Sequence, residues 1–401
     1  MRVRQNTGIL TPSITTNATN ATNATNATTT IMISCYAEAG IKLHDLLEAM
    51  FSQKASDLHL TIGVPPQVRV NGQIRHTDYP PLTPEDTWHL ASEILSETQK
   101  RKLKKNREID FSFGISGLSR FRVNAYFQRG TLALAIRCIP FSIPTFQELN
   151  LPAFISELCE KPRGLILVTG PTGSGKSTTL AAMIKWINTH SQKHVITVED
   201  PIEYLHNHNK CMVNQRELHS DTHSMARALR SVLREDPDVV MIGEMRDLET
   251  IEAALTISET GHLTLATLHT DSCIQSINRI IDVFSPHHQN QIRTQLSFLL
   301  EGILCQQLLP KILEEGRALA LEILIPNHAI RNLIRENQVQ QIYSLMQTGS
   351  LKYGMQTMNQ AIFSLYKLNL ISKEIALGRS SYQAELLQMM QNNLGGVAAR
   401  T

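Results

Sequence analysis

Leu165-Ile166-Leu167-Val168-Thr169-Gly170-Pro171-Thr172-Gly173-Ser174-Gly175-Lys176-Ser177-Thr178 is the stretch on which the reading of this chain turns. Its first five residues form a short apolar run that predicts a buried strand. Thr178-Thr179-Leu180-Ala181-Ala182-Met183-Ile184 predicts the start of a helix. Between them lies G-x-x-x-x-G-K-S, in the strand–loop–helix context that gives the motif its meaning. Glycine lets backbone N–H groups close around phosphate oxygens where a Cβ would intrude. The helix N-terminus adds partial positive charge. Lys176 is placed to reach the outer phosphates of ATP, and Ser177 to offer an oxygen to Mg²⁺. Gly170, Pro171, Thr172, Gly173, Ser174, Gly175, Lys176, Ser177 and Thr178 are therefore the candidate ATP contacts.

Downstream, the pattern of strand, polar residue and helix repeats. His194-Val195-Ile196-Thr197-Val198 predicts a strand that runs into Glu199-Asp200-Pro201-Ile202-Glu203. Asp238-Val239-Val240-Met241-Ile242 predicts another, ending at Gly243-Glu244-Met245-Arg246-Asp247. His262-Leu263-Thr264-Leu265-Ala266-Thr267 predicts a third, ending at Leu268-His269-Thr270. Parallel sheets bind ligands at the carboxyl ends of their strands. Glu203, Glu244 and His269 are thus expected to converge on the nucleotide held by the glycine loop. Each taken alone reads as structural; three at equivalent strand ends point to chemistry. Glu244 is the candidate to orient or deprotonate an attacking water, and Glu203 and Glu244 are candidate contacts to the Mg²⁺ shell. His269 is the candidate γ-phosphate sensor.

Upstream, residues 1–40 open with a low-complexity tract in which Asn17-Ala18-Thr19 recurs through Asn26-Ala27-Thr28. The tract has too little apolar content to fold and is expected to be disordered. An α/β domain is expected from about 41 to 140, a Pro-punctuated linker over 141–163, the nucleotide domain with carboxyl-terminal helices over 164–380, and a flexible tail over 381–401. In the first of these domains Arg120, Arg122, Arg129 and Arg137 are denser than strand solubility needs, although spacing alone also fits a solvated basic face. Arg122 and Arg137 are the candidates to complete the site of a neighbouring subunit by neutralising transition-state charge.

Composition restricts the class. The 401 residues are 42% hydrophobic and 18% charged, enough to bury a real core. A net charge of +2 with 5% aromatics argues against a nucleic-acid motor, which needs a basic groove with stacking rings. The six cysteines are scattered without a C-x-x-C pair, so neither a zinc site nor a disulfide framework is expected, and a cytoplasmic setting fits. No apolar run is long enough to span a bilayer.

The segments Gly170–Ser177, Glu199–Glu203, Arg234–Asp247 and Thr260–Thr270 resemble the Walker A, Asp box, Walker B and His box of the secretion ATPase superfamily. Ser56-Asp57-Leu58-His59 resembles part of its amino-terminal domain. Ala329-Ile330-Arg331-Asn332-Leu333-Ile334-Arg335-Glu336 is similar to the signature helix of the type IV pilus retraction ATPases. The resemblance implies a PAS-like amino-terminal domain, a RecA-like P-loop NTPase core, and His262 as well as His269 among the sensor residues. It also implies a homohexamer peripheral to the inner face of the cytoplasmic membrane. Its partners would be the platform protein of the pilus machine and, through it, pilin, with no direct nucleic acid. Pilus-assembly and type II secretion ATPases of the same superfamily are the alternative; they usually carry a long extra amino-terminal region and often a four-cysteine zinc insert. From the residues alone, Ala329–Glu336 is an amphipathic helix with Ile330, Leu333 and Ile334 on one face and its arginines facing outward or toward a neighbouring element.

Overall fold

The computed structural model describes residues 41–398 except 71, 116, 140–141, 313–315 and 350–353, so the expectation for residues 1–40 lies outside the described residues. The chain divides into two compact units, Met1–Cys138 and Ile139–Thr401.

The first unit contains α1 (Leu43–Ser52), β1 (Asp57–Leu60), β2 (Gln67–Val70), β3 (Gln73–His76), α2 (Pro84–Ile94), α3 (Glu97–Asn106), β4 (Glu108–Ile115), β5 (Ser119–Gln128) and all but the last residue of β6 (Thr131–Ile139). Leu43, Leu46, Leu47 and Met50 recur at helical spacing and are all buried, which fixes the inner face of α1. The strands form one sheet in the order β3-β2-β1-β6-β5-β4. Phe121, Val123 and Ala125 alternate inward along β5, leaving Arg122 exposed on the other face. Helix α3 has no counterpart in the sequence reading: it is almost wholly polar and only Leu103 is buried. Its ends are nonetheless fixed, by a Ser96–Gln99 capping box and by left-handed Arg107.

The second unit begins with a stretch expected to be a linker over 141–163, but its described residues, 142–163, are packed. Leu151, Ile155, Leu158 and Cys159 are buried, the last three on α4 (Ile155–Cys159). Then follow β7 (Gly164–Thr169), α5 (Lys176–His190), β8 (His194–Glu199), β9 (Met212–Glu217), α6 (Met225–Val232), β10 (Val239–Ile242), α7 (Leu248–Glu259), β11 (Leu263–Leu268), α8 (Cys273–Asp282) and α9 (Pro286–Leu299). β12 (Leu300–Pro310), β13 (Arg317–Leu324), α10 (His328–Arg335), α11 (Ile342–Thr348), α12 (Met358–Lys367), α13 (Lys373–Arg379) and α14 (Gln383–Ala398) complete it. The flexible tail expected from 381 is instead α14, because Leu386 and Met390 share a face that joins the core.

Seven strands form the sheet in the order β13-β12-β7-β11-β10-β8-β9. All pair in parallel except β13, which runs antiparallel to β12. Every residue of β7, β10 and β11 is buried, so these strands have helices on both faces and read as continuous apolar runs. The parallel direction places the ends of β7, β8, β10 and β11 on one edge. The fold is α/β, as expected.

Candidate nucleotide site

The glycine loop joins β7 to α5. Gly170 has φ +138°, and a Cβ there would run into the Gln306 carbonyl and lie 2.6 Å from Ser174 Oγ, so only glycine fits. Gly175, the N-cap of α5, takes the left-handed conformation at φ +89°. Lys176 is 8% exposed, and its ammonium donates to the carbonyls of Gly170 and Pro171 at 2.8 and 3.0 Å. Burial pushes its pKa down, opposed by the charge of Glu244. Ser174 Oγ is buried without a hydrogen-bond partner among the described residues, while Ser177 is exposed at the first turn of α5. Thr178 instead hydrogen-bonds the Tyr204 hydroxyl at 2.9 Å.

The structure brings Glu244 and His269 together at this edge. His269 Nε2 lies 3.3 Å from one Glu244 oxygen, and its Nδ1 lies 3.5 Å from the Thr172 hydroxyl of the loop. The imidazole therefore spans from loop to carboxylate. Arg246 donates to the other Glu244 oxygen at 2.9 Å and stands 4.0 Å from Asp200. Burial pushes the Glu244 carboxyl up, but Arg246 and His269 outweigh it and hold the pKa below its ordinary value. Thr267 donates to the Gly243 carbonyl, pinning the turn that presents Glu244.

Glu203 is exposed just beyond β8. Its amide reaches Glu199, the buried carboxylate at the end of that strand, at 3.4 Å. Glu199 also accepts from Thr197 at 2.6 Å and from Gln215 at 3.1 Å. Burial pushes the Glu199 carboxyl up to about 7 against those bonds.

His262 is not in the site. It precedes β11 at the end opposite His269, where its ring contacts the Ile257 carbonyl and the Thr260 hydroxyl, both at 3.0 Å. That placement ties it to the end of α7, away from Glu244 and His269. Arg122 and Arg137 belong to the other unit. Arg137 donates to Asp57 at 2.8 Å, whereas the Arg122 side chain has no hydrogen bond or ion pair among the described residues. Asp57 is 8% exposed and anchors Arg137 from β1, an interior strand of its sheet.

Sequence reasoning missed the contribution of β12 and β13. Beyond Cys305, which pairs with Thr169, β12 continues past the end of β7 and runs beside the glycine loop. Gln306 donates to Thr179 at 2.9 Å, and Leu308 approaches Gly175. Arg317, on the returning strand, donates to the Gly173 carbonyl at 3.1 Å. The two residues are 144 apart, and no local pattern signals the contact.

A glycine cradle, a buried lysine and a carboxylate–imidazole pair at parallel strand ends define a nucleotide-binding α/β protein of the P-loop class. Residues 40–375 match the family described as Type II/IV secretion system protein, and the chain belongs to that family. The Pseudomonas aeruginosa type IV pilus retractation ATPase PilT is 47% identical over 332 residues, covering 83% of this chain and 96% of that protein. A twitching motility protein of Neisseria gonorrhoeae is 46% identical over 315 residues, 79% of this chain and 84% of that one. The crystal structure of the pilus retraction motor PilT with bound ADP superposes with a TM-score of 0.82 at 53% identity, covering 87% of this chain and 99% of that chain. The RecA-like core with an additional amino-terminal domain is common to both.

Proposed function

We propose that this chain is an ATP-hydrolysing motor that powers type IV pilus retraction, and with it twitching motility. The likeness over nearly the full length of PilT, a retraction motor solved with ADP, carries this reading. The site agrees with it. The loop that excludes a Cβ at Gly170 and leaves Ser174 Oγ unpartnered among the described residues fits a polyphosphate. Gly170 to Thr178 would hold ATP, with Lys176 at its outer phosphates.

Ser177 would hold Mg²⁺, with Glu203 facing the ion through water; the ion supplies charge neutralisation on the phosphates. Glu244, kept ionised by Arg246 and His269, orients the water that attacks the terminal phosphate and accepts its proton. His269, touching both Glu244 and the loop at Thr172, reports the phosphate to the carboxylate. The products are ADP and phosphate. Arg122, unpaired among the described residues, is the better of the two candidates to reach across to a neighbouring subunit. The assembly proposed is a homohexamer on the cytoplasmic face of the inner membrane, acting on the platform protein and so driving pilin disassembly. No helix among the described residues is long and apolar enough to cross a membrane.

A deletion strain scored for piliation and twitching tests the reading. Abundant pili without movement, restored by this chain and not by Lys176→Ala, is the expected result. Loss of pili would assign the chain to assembly instead.

A further inference from the structure

Glu322, on β13, is 4% exposed and belongs to none of the groups assigned above. One of its oxygens accepts the amide of Cys273 at 2.6 Å; the other accepts the amide of Met358 at 3.3 Å. Each amide belongs to the first residue of a helix, α8 and α12 respectively. The N-cap hydroxyls of Ser272 and Thr357 already serve the amides of Gln275 and Gln360. The first amide of each helix is thus left for a further acceptor, and Glu322 supplies it to both. Two helix dipoles point their positive ends at one carboxylate.

The position matters because of its neighbours. Helix α8 begins directly after the segment His269-Thr270-Asp271-Ser272. Thr270 hydrogen-bonds Ser276 of α8 at 2.6 Å, and Ser276 reaches Thr169, the last residue before the glycine loop, at 3.4 Å. Across the sheet, Glu322 pairs with Cys305, Cys305 with Thr169, and Thr169 with Leu268. Helix α12, at the other oxygen, belongs to the carboxyl-terminal helices that follow β13.

We propose that Glu322 is a positioning residue for ATP hydrolysis: by holding the first amides of α8 and α12 on one carboxylate, it fixes the segment carrying His269 and couples it to the carboxyl-terminal helices. This rests on the hydrolytic reading above.

Met358→Pro tests it by removing a single N–H while leaving Glu322 in place. Proline is accepted at the first position of a helix, and Thr357, at φ −80° and ψ 159°, already has the extended backbone that precedes proline. Met358→Ala is the control, since it loses the side chain and keeps the amide. The expected result for Met358→Pro is turnover at saturating ATP lowered about tenfold, with KM for ATP within about twofold of wild type. Deuterium uptake over 269–275 should quicken in Met358→Pro and not in Met358→Ala. Glu322→Gln, with one acceptor oxygen in place of two, should show the same two signs. If both Met358 variants have wild-type turnover and wild-type exchange over 269–275, there is no coupling. Should the wild-type chain fail to hydrolyse ATP, the functional reading falls, and exchange over 269–275 still decides whether Glu322 links the two helices.

Discussion

Glu244 is held between two cationic or hydrogen-bonding neighbours, one from its own turn and one from the next strand. Removing its charge while keeping its shape separates binding from chemistry. Glu244→Gln should bind ATP near the wild-type level and lower phosphate release by ~10²-fold or more. Equal losses of binding and turnover would make it a structural or metal-shell residue instead. Glu199 leads to a different test. Its folded pKa of about 7 lies above the ordinary value of 4.5, so the folded state holds its proton more tightly than the unfolded chain does. Its contribution to stability is full below about 4.5 and is lost as pH rises toward 7. The loss is roughly 3 kcal/mol if the whole shift is expressed. Glu322, also raised by burial, acts in the same direction, so the measurement is a difference. Urea unfolding of Glu199→Gln and wild type at acid and alkaline pH should show the variant losing less stability on going alkaline. Parallel pH profiles would place the titration elsewhere. At this scale Glu244 and His269 are legible in the sequence because each stands just past an apolar run, and parallel strands deliver the residues beyond their carboxyl ends to one edge. His262 sits inside the same motif but stands before its strand rather than after it, so the strand-end rule does not bring it to that edge. Arg317 is illegible because its partner is 144 residues away.

Helix α10 is the sharpest case at the scale of elements. Ile330 and Ile334 are buried and Leu333 is half-buried, as amphipathic spacing requires. Its arginines, however, are not idle surface charges. Arg331 donates to the carbonyls of Ser297 and Phe298 at 2.7 and 3.0 Å and pairs with Glu301 at 2.9 Å. Those carbonyls are the unsatisfied end of α9, so Arg331 caps a neighbouring helix where its charge is favoured. Arg335 lies 5.6 Å over the Phe298 ring and completes the contact. Arg331→Ala should therefore cost about 1–3 kcal/mol, more than a solvated charge would. It should lower the melting temperature while leaving most ATP hydrolysis intact. Melting at the wild-type temperature would mean that water replaces the guanidinium at no cost. Periodicity finds which face is buried, but it cannot say which helix end a long cation reaches. The same limit explains α3 and α14. The first has almost no apolar periodicity to detect, and in the second the apolar residues do not say by themselves that Leu386 and Met390 dock on the core.

At the scale of the whole molecule, the question is whether one chain holds a complete site. Arg122 is exposed on a sheet face of the first unit, with no partner among the described residues, while Arg137 is committed to Asp57. If Arg122 completes a neighbour's site, mixing Arg122→Ala with Lys176→Ala subunits should recover part of the activity that neither has alone, because some interfaces then carry both intact halves. Activity per chain should also rise with concentration as rings assemble. Rings without any rescue, at every ratio, would place Arg122 outside the reaction.

Strand β13 runs from Arg317, bonded to the glycine loop, to Leu324, three residues short of the N-cap of α10. A strand rises about 3.3 Å per residue, and this one is locked to β12 along its whole length. The spacing between the loop and α10 is therefore set by pleat geometry and is stiff against stretching. The two ends therefore keep a fixed separation, where a coil of the same length would let it vary.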